Sequence, residues 1–302
     1  MPADDVRTMP DLSLVAPHTA FLYDRLALSR NTRIMDVGAN PANVPAYAGL
    51  RDAGLAEVHG FEPGEEAFGR LIANKRENES YHPYAIGKSS SRTFYATVGG
   101  SMASLFKPDL RQIKALGHWG PSLKVKEKIK IKTKSLDSIK SLPKPDMLKM
   151  DTQGAELAIL EGGMKTLSSA VVIMPEVRFF KLYENEPMLG PVDQQLRLMG
   201  FMLHKILPGA NLRLISSRIE RLKPAYTRNQ MIDADAIYVR DIAYPERMDD
   251  TQIAHLALLA DSVFNSIDLA LRCLDLLVER DAFDPNDIDT YIDNLPIQMR
   301  HR

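Results

Sequence analysis

Four acidic residues stand at or near the ends of short apolar runs in the sequence. Asp36 and Glu62 belong to the first third of the chain, and Asp151 and Glu176 lie near its middle. A carboxylate in such a place can attract a cation or take a proton from a hydroxyl group. If the apolar runs are neighbouring strands of one parallel sheet, their ends meet in one crevice. These residues therefore predict a shared site for a cationic ligand and for proton transfer.

The elements that must position the first two acids form a unit of strand, turn, helix and strand across residues 33–63. An apolar strand containing Asp36 is followed by the turn Gly38-Ala39-Asn40, a helix, and a second apolar strand that ends in Glu62. Such a βαβ unit places its ligand at the carboxyl ends of the parallel strands. Asp36 and Glu62 would then border one pocket with two negative charges.

The composition of the turn indicates which cofactor this pocket suits. A dinucleotide site needs three glycines and free backbone N–H groups for a pyrophosphate, but this turn has one glycine, and Pro41 has no N–H. Glu62 suits a ribose diol, and Asp36 suits a cation better than a phosphate. S-adenosylmethionine, which has a sulfonium, an ammonium, a ribose and no phosphate, fits best. The alternatives are a doubly wound domain whose Asp36 only caps a turn, and a nucleotide-dependent dehydrogenase, which the missing glycines disfavour.

The rest of the chain predicts an α/β fold with seven core strands and a long insertion before the fourth. The third strand is expected over Tyr81–Ile86, with Ala85 and Ile86 at an end where an adenine ring could lie. Later strands are expected before Asp151, over 171–177, over 201–207 and over 234–239, with helices between them. This is the pattern of a mostly parallel, Rossmann-like sheet with helices on both faces.

Composition limits the class of protein. The chain has 302 residues, 45% hydrophobic and 25% charged residues, and a net charge of −1. These values indicate a globular protein with no overall attraction to nucleic acid. A single cysteine, Cys273, cannot form an intramolecular disulfide, which favours a reducing compartment. No apolar run reaches the length of a membrane span, so we expect a cytoplasmic protein without one.

The least regular stretch is the variable loop 99–124, which lies where a substrate-facing segment would belong. His118 could line an acceptor pocket, whereas Trp119 is more typical of a local packing anchor. Residues 124–134 alternate lysines with apolar residues, as a half-exposed strand does. We interpret them as an edge strand that lysines protect against aggregation, and the alternative is attraction of an anionic acceptor.

The sequence predicts a further segment on each side of the central domain, which comprises residues 30–245. Residues 1–29 read as an arm followed by a helix. Residues 246–302 carry apolar residues at spacings of three and four, which predicts a helical extension with a long apolar seam. Asp284 and Pro285 have the residue types of an N-cap and first turn. The extension either packs on the central domain or forms a homodimer.

Taken in order, several motifs between residues 30 and 240 resemble the FkbM family of S-adenosylmethionine-dependent methyltransferases. They are DVGAN (36–40), GFEP (60–63), YAIG (84–87), SLDS (135–138), LKMDTQGAELAILEGG (148–163) and EVRFFKLYENEP (176–187). The resemblance implies a class I methyltransferase fold with six parallel strands and one antiparallel strand, and O-methylation of a sugar or polyketide-type metabolite. Where the family turn usually has a glycine, this chain has Ala42, which adds a methyl group where backbone and ligand approach.

The resemblance and the residue types together give the expected site. Glu62 would hold the ribose, Asp36 and Gly38 would border the methionine part, and Asp151 would lie close to the transferred methyl group. The expected cofactor-binding residues are therefore Asp36, Gly38, Asn40, Glu62, Ala85, Ile86 and Asp151. Candidates for the catalytic base are Asp151, Glu176 and His118.

Two questions stay open at the level of sequence. Two carboxylates could hold a divalent ion, but they are too few to assign metal ligands. The alternative to an enzyme is a catalytically silent scaffold protein with the same fold, motivated by Ala42 and the C-terminal helices. The expected partner is a small-molecule or glycan acceptor, and no nucleic acid is expected.

Overall fold

The computed structural model describes residues 10–301, so residues 1–9 of the predicted N-terminal arm lie outside the described residues. The strands are β1 (Thr32–Val37), β2 (Ala56–Phe61), β3 (Glu79–His82), β4 (Ala85–Ile86), β5 (Ser91–Thr97), β6 (Val125–Lys134), β7 (Met147–Met150), β8 (Val172–Arg178), β9 (Phe201–Pro208), β10 (Asn211–Leu212), β11 (Gln230–Met231) and β12 (Asp233–Arg240). The helices are α1 (Pro17–Leu26), α2 (Ala48–Asp52), α3 (Glu65–Ala73), α4 (Leu110–Leu116), α5 (Glu156–Glu161), α6 (Leu189–Leu198), α7 (Asp250–Ser262), α8 (Ile267–Val278) and α9 (Pro285–Asn294).

Seven of the strands form one sheet in the order β3-β2-β1-β7-β8-β12-β9. The first five strands of that order pair in parallel, and β12 pairs antiparallel with both β8 and β9. One reversed strand, second from the edge, is the arrangement expected of a class I methyltransferase sheet. The prediction of seven core strands with one antiparallel member is confirmed.

Alternate side chains of the sheet enter two separate hydrophobic cores, as the pleat of a β-strand requires. On β1, Ile34 faces one core and Met35 faces the other. Helices α1, α7, α8 and α9 cover the first face, and α5 and α6 cover the second. Helices on both faces explain why the central strands are apolar on both sides.

The predicted C-terminal apolar seam lies on two helices, α7 and α8, which pack on the chain's own sheet. The left-handed residue Asn265 (φ 48°) lies in the break between α7 and α8, so the predicted continuous seam is divided. Leu256 of α7 and Leu274 of α8 are fully buried in the same core as the sheet residue Ile34. Asp284 caps α9 through the Asn286 N–H, as the sequence predicts. Those buried apolar side chains are therefore occupied within one chain and are not free for a second subunit.

One expectation for the insertion before β7 is wrong. The strand predicted over 81–86 leaves the main sheet after His82, because Ala85 and Ile86 pair with β6 in a second, three-stranded sheet of order β4-β6-β5. The lysine-rich strand β6 pairs with β5 over residues 125–132 and with β4 only at Thr133 and Lys134. Within the described residues, most of its length therefore keeps one unpaired edge, and its lysines are exposed. The error over residues 81–86 arises because pairing partners distant in sequence decide which sheet a strand joins.

The variable loop 99–124 contains the short helix α4, which Asp109 caps through the N–H groups of Arg111 and Gln112. Ile113 and Leu116 of α4 pack with Leu182 and Ile232 in a third small core, and Trp119 contacts it. Trp119 is thus a packing anchor, as expected. No helix within residues 10–301 is long and apolar enough to cross a bilayer.

Candidate functional site

A cavity of about 650 Å³ opens at the carboxyl edge of the main sheet. Of the residues singled out from the sequence, it is lined by Asp36, Asn40, Asp151 and Glu176. They come from β1, β7, β8 and the turns after β1 and β7, whose parallel directions bring their ends together. The volume is within the range of small-molecule and cofactor sites.

Asp36 is a deeply buried carboxylate of the cavity, with 4% of its surface exposed. Its Oδ2 accepts a hydrogen bond of 2.6 Å from the Tyr47 hydroxyl. Burial, followed by the charge of Asp36, raises the pKa of Tyr47 well above its ordinary value, so that hydroxyl remains a donor. The other carboxylate oxygen, Oδ1, is buried without a hydrogen-bond partner. A buried carboxylate oxygen without a hydrogen bond is costly unless a ligand or water supplies one.

Lys149 is the cation at the centre of this acidic end of the cavity. Its Nζ lies 3.6 Å from Asp36 Oδ1. Burial alone would lower its pKa, but Asp36 and three further carboxylates, those of Asp151, Asp235 and Glu176, raise it to about 12. Lys149 therefore stays charged and cannot act as a base. It offsets only one of the carboxylates around it, so the acidic end can still accept a cationic ligand.

The Gly38 turn brings the loops after β1 and β7 into contact. Gly38 has φ +87°, and its N–H donates to the Phe61 carbonyl at 3.0 Å. A Cβ at this position would lie 2.0 Å from the Asp151 carbonyl oxygen. Glycine is therefore required both for its backbone conformation and for this approach, and the turn fixes the position of Asp151 relative to Asp36.

We expect the substitution Gly38→Ala to lower the free energy of unfolding by about 1–3 kcal/mol or more, because it combines a left-handed backbone with a clash against main-chain atoms. Urea denaturation would measure the change. The control is Gly190→Ala in α6, where no atom lies within 4 Å of an added Cβ and alanine should raise helix stability by up to about 1 kcal/mol. Equal free energies of unfolding for the two variants would contradict the assigned turn geometry.

Gln153 connects the two candidate bases and was not identified from the sequence. Its side-chain amide donates to Asp151 Oδ1 at 2.8 Å and to Glu176 Oε2 at 2.9 Å. Its amide oxygen accepts from Arg178 Nη2 at 2.6 Å and from the Tyr183 hydroxyl at 3.0 Å. Gln153 has a positive φ of 55°, an uncommon conformation that aims the side chain at both carboxylates. Only one oxygen of each carboxylate is used, so the other stays available.

Arg178 neutralises the inner end of this network. Its guanidinium lies 2.7 Å from Glu176, 2.6 Å from Asp233 and 3.8 Å from Glu186. Burial and the charge of Asp151 raise the pKa of Glu176 well above its ordinary value, although Arg178 opposes the shift. Burial raises the pKa of Glu186 to about 7. Glu176 is therefore a poor candidate for an ionised base at neutral pH.

Glu62 lies beside the cavity and not among its lining residues. It is half-buried, and its Oε1 accepts a 2.6 Å hydrogen bond from the Gly64 N–H. Burial raises its pKa to about 7, and the charge of Asp36 adds to the shift. The two acids of the βαβ unit therefore influence each other electrostatically, as residues bordering one site do.

The structure separates the remaining expected residues from the large cavity. Ala85 and Ile86 are buried in β4, and the adjacent Gly87 lines a second groove of about 250 Å³, which Gly154 and Ala155 also line. His118 is exposed after α4, 6.4 Å from the Trp119 ring, and does not line the large cavity. Ala42 is exposed and does not line it either. Its methyl group therefore leaves the cavity unobstructed.

The residues present fit a cofactor that carries cationic groups and a diol. The Asp36 oxygen that lacks a hydrogen bond and the excess of carboxylates around Lys149 suit an ammonium and a sulfonium, and Glu62 suits hydroxyl groups. Within residues 10–301, no group of three or more His, Cys, Asp and Glu side chains is arranged to hold a metal ion.

The sheet order and this cavity define a class I methyltransferase that uses S-adenosylmethionine. The sequence model described as the methyltransferase FkbM domain matches residues 36–203, which is more than half of the 302-residue chain. The chain belongs to the FkbM methyltransferase family. No curated protein matches the sequence.

Solved structures similar to this chain include several methyltransferases. A precorrin-6y C5,15-methyltransferase from Geobacter metallireducens is 14% identical, with a TM-score of 0.36, and the match covers 74% of this chain and 86% of that one. A TehB-like methyltransferase from Corynebacterium glutamicum is 12% identical, with a TM-score of 0.35 and coverage of 74% and 88%. A magnesium protoporphyrin IX methyltransferase from Synechocystis with bound S-adenosylmethionine is 11% identical, with a TM-score of 0.34 and coverage of 74% and 76%. Similarity at this level says nothing about the acceptor.

Proposed function

We propose that the protein transfers a methyl group from S-adenosylmethionine to a hydroxyl oxygen of a sugar, a polysaccharide precursor or a secondary metabolite. The observation that carries the proposal is the pair Asp151 and Glu176, which border the cavity with one oxygen each held by Gln153 and the other free. A hydroxyl group is a weak nucleophile and needs a nearby base as it attacks. A carboxylate with a free oxygen at the cavity supplies one.

Chain residues on two sides of the cavity would hold the cofactor. Asp36 would accept from the ammonium group, Glu62 from the ribose, and the turn containing Gly38 and Asn40 would border the methionine part. When bound, S-adenosylmethionine supplies an electrophilic methyl group attached to a good leaving group. Ala85 and Ile86 line neither cavity and are buried in β4, so they would contribute only by positioning the adjacent Gly87, which lines the smaller groove.

Asp151 is the base that the geometry supports best. Its carboxylate lies at the end of β7, one oxygen accepts from Gln153, and no described residue occupies the other. Glu176 is the second candidate, and its raised pKa suits it to hold a proton. His118 would need a movement of the segment after α4 to reach the acceptor, since it is exposed outside the cavity.

The variable loop would influence the acceptor through the same network. The Ser104 hydroxyl donates to the Gln153 carbonyl oxygen at 2.5 Å. The Met102 carbonyl lies 2.9 Å from the Tyr183 hydroxyl, where it competes with the Gln153 side chain for the single hydroxyl proton. Two residues of the loop thus touch the groups that orient Asp151 and Glu176. Differences in this loop would change both the shape of the acceptor site and the position of its base.

The first test is titration calorimetry with S-adenosylmethionine. The unmodified protein should bind it and should not bind NAD. Asp36→Asn should weaken binding about tenfold, because the amide keeps an acceptor for Tyr47 but loses the charge that a cation needs. Asp289→Asn, a matched change at an exposed position of α9, should bind normally. Equal affinities for the two variants would contradict the role given to Asp36.

The second test identifies the atom that is methylated. Protein and methyl-labelled cofactor are incubated with matched acceptors, a sugar, its amino sugar and its uronic acid. Label retained on the sugar after alkali supports hydroxyl transfer. Label found only on the amino sugar would overturn the proposal of hydroxyl transfer. Label that alkali releases from the uronic acid would also overturn it, because alkali cleaves a methyl ester. Cofactor binding without transfer to any acceptor would favour the silent scaffold.

A further inference from the structure

The loop between β10 and β11 has a composition unlike the rest of the molecule. Residues 213–229, here called the basic loop, contain five basic side chains and one acidic side chain, so the loop carries a net charge of +4. The whole chain has a net charge of −1, which leaves −5 for the remainder. A connection of this length with little regular structure usually has a function of its own.

The apolar side chains of the basic loop are directed outward. Leu214, Ile215, Leu222 and Tyr226 are 50%, 63%, 59% and 75% exposed, respectively. Scattered exposed apolar residues are common, but four within thirteen positions of one loop form a group. None of them serves the three cores described above.

The charges of the basic loop are also unused by the protein. Arg213 pairs with Glu220 at 2.9 Å. The other four basic side chains, those of Arg218, Arg221, Lys223 and Arg228, are exposed and form no ion pair with any residue between 10 and 301. Unpaired cations next to exposed aliphatic groups match a partner with an anionic surface layer and an apolar layer beneath it.

The base of the loop is held in place, so the exposed side chains are presented from a fixed position. The Ile215 N–H donates to the Ala115 carbonyl of α4 at 2.8 Å, and Thr227 is buried. Two short 3₁₀ turns, Ile219–Arg221 and Pro224–Tyr226, shape the intervening chain. The loop therefore extends from the protein at a defined place beside the variable segment 99–124.

We propose that the basic loop docks the protein on an anionic lipid bilayer surface. Arg218, Arg221 and Lys223 would contact lipid headgroups while Leu222 and Tyr226 enter the interface between headgroups and acyl chains. Negatively charged headgroups complement the +4 loop and not the −5 remainder, which sets the orientation of the molecule. A nucleic acid is disfavoured, because base stacking uses aromatic side chains and the loop offers only Tyr226.

The test is flotation of the full chain with phosphatidylcholine vesicles, with and without phosphatidylglycerol. The unmodified protein should float only with the anionic vesicles, and less at high salt, because headgroup contacts are screened. The triple variant R218E/R221E/K223E should bind on the order of 100-fold more weakly, since each basic residue near such a surface contributes about fivefold. The double variant L222S/Y226S should also bind more weakly. The difference in affinity between this variant and the unmodified protein should change little with salt.

A matched control separates the loop from overall charge. The variant K126E/K128E/K130E makes the same change in net charge on the exposed lysines of β6 and should float like the unmodified protein. Equal loss in both triple variants would overturn the proposal, because binding would then follow net charge. So would failure of the unmodified protein to float with anionic vesicles, or binding of RNA through Arg218, Arg221 and Lys223 without flotation.

Discussion

The variant Glu62→Gln is expected to bind S-adenosylmethionine about 10–100-fold more weakly than the unmodified protein and yet to be more stable at pH 8. Binding should weaken because the neutral amide cannot accept charge-assisted hydrogen bonds from two ribose hydroxyls. Stability should increase because the protein no longer buries a carboxylate beside Asp36. Opposite effects on affinity and stability are characteristic of a group that is kept for function.

The raised pKa of Glu62 fixes the pH dependence of both effects. Its pKa is about 7 in the folded protein, against an ordinary value of 4.5. The folded state therefore favours the neutral carboxyl, and ionisation costs stability progressively as pH rises from about 4.5 to about 7. The stability gain of Glu62→Gln should be near zero at about pH 4 and reach roughly 1–3 kcal/mol above pH 7. Cofactor affinity of the unmodified protein should fall as pH drops below 7.

Urea denaturation and titration calorimetry at several pH values would measure these changes. The control is Glu77→Gln, an exposed glutamate that should change neither quantity. If Glu62→Gln bound the cofactor as tightly as the unmodified protein, Glu62 would not hold the ribose. If the stability difference were independent of pH, the carboxylate would not be the source of the cost.

The variant Arg178→Met is expected to lose about 3–5 kcal/mol of unfolding free energy at neutral pH, the largest effect on stability that the structure suggests. Removing the guanidinium leaves Glu176, Asp233 and Glu186 close together without their cation. It also removes a hydrogen-bond donor from the Gln153 amide oxygen. Unpaired buried carboxylates cost far more than an absent surface ion pair does.

Acid should partly rescue Arg178→Met. Burial already raises the pKa of Glu176 and that of Glu186, and loss of Arg178 raises both further. These carboxyls take up protons as pH falls, so the deficit should be greatest at alkaline pH and smaller near pH 5. Adding Glu176→Gln should recover part of the stability at neutral pH. The control is Arg197→Met, which removes an exposed arginine that pairs with Asp193. This variant should change stability by no more than about 0.5 kcal/mol. A deficit that is the same at every pH would contradict this account.

Local sequence signals were sufficient for the parts of the fold that are made locally. The strand-turn-helix-strand unit, the single glycine of the turn and the N-cap at Asp284 depend on neighbouring residues, and the structure confirms them. The division of the third strand depends on β6, whose residues paired with β4 lie 48 positions away. Nothing in the residues 81–86 themselves distinguishes a strand of the large sheet from one of the small sheet.

The sequence identified the acidic residues of the candidate site but not the groups that orient them. Lys149 interrupts an otherwise apolar buried strand, and such a lone charge signals partners, so it could have been singled out. Gln153 and Arg178 gave weaker signals, because their importance follows from four hydrogen bonds and three ion pairs made between separate strands and loops. Such contacts exist only after the sheet has formed.

The position of α7–α9 on the first core has a consequence for how the chain reaches this structure. Thr32 of β1 hydrogen-bonds with His255 of α7, 223 residues later, and Thr19 of α1 donates to Asp261, 242 residues later. During synthesis, one face of the earliest strand stays uncovered until these helices leave the ribosome. High contact order of this kind slows folding and exposes apolar surface in the interim. We therefore expect nascent chains that stop before residue 250 to be strong clients of chaperones.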